Sequence, residues 1–132
     1  MNCLLDTHAF LWAAFEPKRL SRTAHQAVTD PDNSIMVSVV SFWEISLKFA
    51  LGKIDFKGVS PDDLPDTALR MGFNLLELHA EDAASFHGLP RGSHKDPFDR
   101  MLVYQAIRQH KTLVSADPDL AQYRPNGLKL LW

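Results

Sequence analysis

Cys3-Leu4-Leu5-Asp6-Thr7-His8-Ala9-Phe10-Leu11-Trp12 reads as a short apolar strand that halts at an acid and turns directly into a helix. The helix, rich in Phe, Leu, Trp and Ala, runs from Thr7 to Phe15 and closes before Pro17. The same unit recurs along the chain. Ser21 caps a helix to about Thr29, and the turn formers Asp30-Pro31-Asp32-Asn33 lead into the apolar strand Ile35-Met36-Val37. Ser38 or Ser41 then caps a helix through Leu51, with Gly52 in the usual place just past its end. Ser60-Pro61-Asp62-Asp63 opens another helix to Met71, with acids at the positive end of its dipole. Phe73 to Leu78 is a third strand, Ala80 to His87 a short helix, and Gly88 to Lys95 a loop. Asp96-Pro97-Phe98-Asp99 starts a long helix to about Gln109, followed by strands at Thr112–Ser115 and Leu128–Leu131. Strands apolar on both faces, alternating with helices, predict an α/β fold with a parallel sheet between helix layers.

The chain of 132 residues suits one domain, with no repeat, linker or low-complexity tract to divide it. A content of 45% hydrophobic and 23% charged residues is that of a globular core, not of a disordered segment. The single cysteine, Cys3, excludes an internal disulfide and reads as a small core residue rather than a nucleophile. No apolar run approaches the roughly 18 residues of a membrane helix. The N-terminus has no basic leader followed by an apolar stretch, so a soluble cytoplasmic protein is expected. The net charge of −2 runs against phosphate binding, unless several acids are committed to a cation that cancels them.

In an open parallel sheet, ligands bind beyond the C-terminal ends of the strands. Asp6 and Asp117 stand at two such ends, Asp99 in the first turn of the helix leading to the fourth strand, and Glu44 on the helix after the second. Four carboxylates converging on one edge of a sheet repel each other unless protons or a cation neutralise them. An all-oxygen set suits Mg²⁺ or Mn²⁺ better than zinc, and six histidines without ligand-like spacing supply no zinc site. Such ions activate water and stabilise charge on a phosphate, the chemistry of phosphodiester hydrolysis.

Each acid also has a plainer explanation. Asp6 serves equally as the cap of the following helix, and Asp117, before a proline, as the start of a turn. Glu44 could be an exposed partner of Lys48 at i,i+4, but its neighbours Phe42, Trp43, Ile45, Leu47 and Phe49 describe a largely buried helix. Asp96, directly before Pro97, reads as a structural cap, which leaves Asp99 as the ligand.

The same residues carry a resemblance. Leu4-Leu5-Asp6-Thr7-His8 with Leu11-Trp12, Ser38-Val39-Val40-Ser41-Phe42-Trp43-Glu44-Ile45 with Lys48, His94-Lys95-Asp96-Pro97-Phe98-Asp99-Arg100 with Gln105-Ala106, and Leu113-Val114-Ser115-Ala116-Asp117 together resemble a PIN domain of the VapC-like toxin nucleases. The resemblance implies a three-layer α/β/α sandwich around a mostly parallel sheet of about five strands. It also implies an endoribonuclease dependent on Mg²⁺ or Mn²⁺, restrained by a cognate antitoxin and assembled as a homodimer. Asp6, Glu44, Asp99 and Asp117 are the acids it carries over, as metal ligands. Relatives often have Thr where Ser115 stands and Phe where Leu120 stands; the first departure keeps the hydroxyl, and the second is a change of packing only.

On this reading, Thr7 and Ser115 orient ligands or water from behind the carboxylates. Arg100 pairs with Asp99 or meets an RNA phosphate, and Lys48, Lys53, Arg91, His94 and Lys95 are candidate backbone contacts. Trp12 and Trp43 pack in the core or at an interface, with base stacking as the lesser alternative. A catalytically inactive PIN-like interaction module is the rival reading, although it would normally have lost an acid. An aspartyl phosphatase would want a second Asp where His8 stands, and no glycine loop supports nucleotide binding.

Overall fold

The computed structural model describes all 132 residues. Five strands form one sheet: β1 (Asn2–Leu5), β2 (Ser34–Ser38), β3 (Asn74–Leu76), β4 (Thr112–Val114) and β5 (Lys129–Leu131). Their order is β3-β2-β1-β4-β5 and every pairing is parallel, so the expected mostly parallel sheet is entirely so. Six α-helices cover it: α1 (Thr7–Phe15), α2 (Arg22–Thr29), α3 (Val39–Ala50), α4 (Leu64–Arg70), α5 (Ala80–Ser85) and α6 (Pro97–Arg108).

Alternation along the strands divides the core in two. Cys3, Leu5, Ile35, Val37 and Val114 point to one face, where Ala9, Phe10, Ala24, Leu64 and Ala68 cover them. Leu4 and Leu113 point to the other, against Leu102, Val103, Ala106, Leu120 and Tyr123. α3 sends Ile45 to the first cluster and Val40 to the second, so it ties both layers together at one side. Gln105, wholly buried, is satisfied by Ser38 Oγ (2.6 Å) and by the Glu77 carbonyl (3.3 Å), which locks α6 to the edge of the sheet.

The local signals work as the sequence suggests. Asp6, Ser21, Ser38 and Asp96 cap their helices through side-chain oxygens, and Pro97 occupies the first position of α6. Gly52 takes φ +72 just past the C-cap of α3, a conformation glycine adopts without strain. Two segments differ from expectation. The third strand spans only Asn74–Leu76, and Pro118–Asn126 forms a 3₁₀ helix where only a turn is expected.

The strand order decides where a site can form. From β1 the chain steps outward through β2 to β3, then crosses back to place β4 on the other side of β1. The crevice beyond the C-terminal ends of β1 and β4 is the topological switch point of the sheet.

Candidate metal centre

Asp6 follows β1 and Asp117 follows β4, so both acids stand at that switch point. The Asp6 backbone N–H donates to Val114 carbonyl at 3.0 Å, which holds the end of β1 against β4. Asp99, at the third position of α6, reaches the same place from the helix layer. Asp6, Asp99 and Asp117 line one open cleft of about 430 Å³, together with His8, Trp12 and Arg19.

The carboxylates differ in surroundings. Asp6 is almost fully buried and accepts the Ala9 N–H at 2.8 Å, so it is cap and cleft residue at once. Burial pushes its pKa up to about 6, against hydrogen bonds from Ser115 and the Ala9 backbone that pull it down. Burial likewise raises the Asp99 pKa, with Asp96 and Glu44 pushing the same way and His94 opposing them. Asp117, a third exposed, caps its 3₁₀ helix by accepting the Asp119 N–H at 2.9 Å, while its own N–H donates to Ser115 Oγ at 3.1 Å.

Glu44 lies behind the cleft rather than on its wall. Its carboxylate is 2% exposed, accepts the Thr7 hydroxyl at 2.6 Å, and is held by Lys48. The Thr7 oxygen also lies 3.0 Å from Ser41 Oγ. The i,i+4 pair with Lys48 is therefore real, but it is a pair with a buried carboxylate. Partial burial works against the Lys48 charge, yet Glu44, with Asp96 and Asp99 beyond it, outweighs that and raises its pKa. Glu44 is near enough to Asp99 to perturb it, and Asp99 in turn perturbs Asp6, so these three acids share one electrostatic neighbourhood, with Asp117 on the same cleft wall.

Three readings of single residues need correction. Arg100 does not pair with Asp99: it donates to the Leu89 and Pro90 carbonyls and lies over the Phe86 ring at 4.9 Å, fastening the loop before α6. Of the two placements expected for Trp43, only the core one falls: it is 65% exposed, edge-on to Phe98. His94 is not a free basic contact. Its Nε2 is 3.1 Å from Asp99 Oδ2 and its Nδ1 3.9 Å from Asp117 Oδ2, so the ring bridges two of the acids. Asp96 accepts the Phe98 and Asp99 N–H groups, as a cap should, and stays off the cleft wall.

The donors fit a hard divalent cation. Three carboxylates face one cleft with a fourth behind, and burial together with mutual repulsion raises the pKa of two of them. A bound cation would relieve both effects. No thiol joins them, Cys3 being enclosed in the core with burial raising its pKa. His94, Asp117 and Asp119 also bring ligand atoms within 4.8 Å of one another, at the outer rim.

A family model described as the PIN domain matches residues 3–125, which takes in all four acids and both strands of the switch point. The chain belongs to the PIN domain family. This PIN domain is 29% identical over 129 residues to Ribonuclease VapC22 of Mycobacterium tuberculosis, covering 98% of the chain and 97% of that protein. Its fold matches a chain of VapBC2 from Rickettsia felis, solved bound to a promoter DNA fragment, with TM-score 0.69 and 17% identity over 98% of this chain and 97% of that one. It also matches VapBC-1 from nontypeable Haemophilus influenzae, with TM-score 0.65 and 17% identity over 98% and 96%.

Proposed function

We propose that this PIN domain is a divalent-metal-dependent endoribonuclease, the toxin of a toxin–antitoxin pair, acting in the cytoplasm. It hydrolyses RNA phosphodiester bonds at the cleft of Asp6, Asp99 and Asp117, with Glu44 behind it. The observation that carries this reading is the meeting of these acids at the β1/β4 switch point, one of them with its pKa pushed up to about 6. The likeness to a ribonuclease over nearly the full length of both chains supports the choice of RNA.

Asp6, Asp99 and Asp117 would hold Mg²⁺, or Mn²⁺ in its place, and Glu44 would complete the negative field. A divalent cation there lowers the pKa of water and stabilises charge developing on the scissile phosphate. The chain does the positioning. Ser115 and the Ala9 N–H fix the Asp6 carboxylate, the first turn of the 3₁₀ helix fixes Asp117, and His94 fixes Asp99. Thr7 and Lys48 keep Glu44 in place behind them. Orientation by such supporting groups is worth about 10- to 100-fold in metal affinity or activity.

Purified protein incubated with RNA should cleave it with Mg²⁺ or Mn²⁺ and not with EDTA. Undiminished cleavage in EDTA would refute the metal site, and no cleavage of any RNA would favour a non-enzymatic interaction module.

The cognate antitoxin and a second copy of the chain are the proposed protein partners. Trp43 and Leu47 on α3 and Leu51 at its C-cap recur at i,i+4 and are 65%, 41% and 60% exposed, an apolar stripe suited to a homodimer. Sedimentation velocity should report twice the 14.9 kDa chain mass, and Trp43→Glu should return it to one. A wild-type monomer at micromolar concentration would dismiss the dimer. The antitoxin should suppress cleavage when added in equimolar amount, and unaltered cleavage in its presence would remove it as a partner.

A further inference from the structure

The cleft that holds three carboxylates carries one permanently charged cation on its wall, Arg19. Its guanidinium lies over the Trp12 ring, 4.6 Å from the centroid, and donates from Nη1 to Glu16 Oε2 at 3.1 Å. Two contacts, one to the indole and one to the carboxylate, meet at the guanidinium. The side chain is nonetheless 57% exposed, and Glu16 56%, and an exposed pair of this kind adds little to stability. Trp12 is itself braced, with His8 and Trp132 each 5.7 Å away between ring centroids.

This group sits at a junction. His8, Trp12 and Arg19 line the acid cleft and also an adjoining groove that continues past Phe15 to Ile54, Asp55 and Phe56. A strand whose phosphate lies against the acids and which leaves along that groove must pass over Arg19. Guanidinium planes, like aromatic rings, stack unpaired RNA bases, and a guanidinium already laid on an indole loses little freedom in doing so.

We infer that Arg19, held over the Trp12 ring, is the platform that stacks the RNA base next to the bond being cut. The inference rests on the ribonuclease reading and adds a substrate form to it: single-stranded RNA, gripped by a base plane as well as by its phosphates. Arg19 is on this account a substrate-binding residue outside the carboxylate set. Trp12 and Glu16 are positioning residues that act through it.

The test uses the full chain and a fluorescein-labelled single-stranded RNA oligomer, read by anisotropy in EDTA for binding and by cleavage with Mg²⁺ for KM and kcat. Arg19→Met removes charge and plane; Arg19→Lys keeps the charge and removes the plane. Both should weaken binding and raise KM about 5- to 150-fold, the range expected for one stacked base, with kcat within about threefold of wild type. Trp12→Leu should follow them and Trp12→Phe should recover most of the binding, with melting temperatures of the Arg19 variants unchanged. An Arg19→Lys protein that binds and cleaves like wild type would overturn the platform, because charge alone would then suffice. A wild-type protein that binds the oligomer through Arg19 but never cleaves would retain the platform and sink the nuclease. One that neither binds nor cleaves would overturn both.

Discussion

Asp99→Asn should lower kcat for RNA cleavage at least about a hundredfold, while Asp96→Asn, three residues earlier, should leave it within about threefold. The two acids stand on the same helix turn and differ in where their oxygens go. Asp96 spends its side chain on the Phe98 and Asp99 N–H groups. Asparagine caps a helix as well as aspartate does, so that variant loses only a charge off the cleft wall. Asp99 faces the cleft and is fixed there by His94 at 3.1 Å. Replacing its carboxylate by an amide of the same shape removes the charge of the proposed ligand and nothing from the fold. The hundredfold figure is a floor, since loss of groups that merely orient ligands costs about 10- to 100-fold. Single-turnover cleavage and Mn²⁺ titration on the same samples would read both consequences. An Asp99→Asn enzyme cleaving within threefold of wild type, or an Asp96→Asn enzyme losing all activity, would exchange the two assignments.

That pair also shows how far sequence reasoning reached. Asp96-Pro97 announces a helix start in purely local terms, and counting three residues onward isolates Asp99. The first strand, Asp6 and the acids at strand ends were legible for the same reason: an apolar run and its stop are written in adjacent residues. The burial of Glu44 was legible too, from the apolar residues around it. Its partners were less so. The Lys48 contact follows from i,i+4 spacing, but the Thr7 hydroxyl arrives from a different helix, 37 positions away. His94 could not be placed because its loop is pinned by Arg100 to the Leu89 and Pro90 carbonyls, a contact no periodicity encodes. Arg19 escaped notice because one arginine next to a lysine is indistinguishable from a solvated charge until Trp12 is seen beneath it. The 3₁₀ helix at Pro118–Asn126 escaped because Pro118 and Pro125 hide the segment from any search for helical repeats.

Asp6→Asn should make the metal-free protein more stable than wild type at pH 7.5 in EDTA, by about 2–3 kcal/mol. The Asp6 carboxyl has a folded-state pKa of about 6 against an ordinary value of 3.8. Each unit of difference corresponds to about 1.4 kcal/mol, so ionising this group costs the folded state about 3 kcal/mol. Between pH 4 and 6 the folded chain holds a proton that the unfolded chain has released. Wild-type stability therefore falls as pH rises through that window, and the deficit is complete above it. Asparagine has no charge to bury and keeps the oxygen that accepts the Ala9 N–H, so α1 stays capped. For a domain of this size the gain amounts to about 8–12 °C in melting temperature, vanishing as pH falls below about 4. Saturating Mg²⁺ should reverse the order, because only the wild type then gains binding energy that offsets its buried charge. Thermal melts of both proteins at pH 4, 5.5 and 7.5, with EDTA and with Mg²⁺, contain the whole argument. An Asp6→Asn protein that melts lower than wild type in EDTA at pH 7.5 would mean that Ser115 and the helix terminus already neutralise the acid. A cation would then have no strain at Asp6 to relieve.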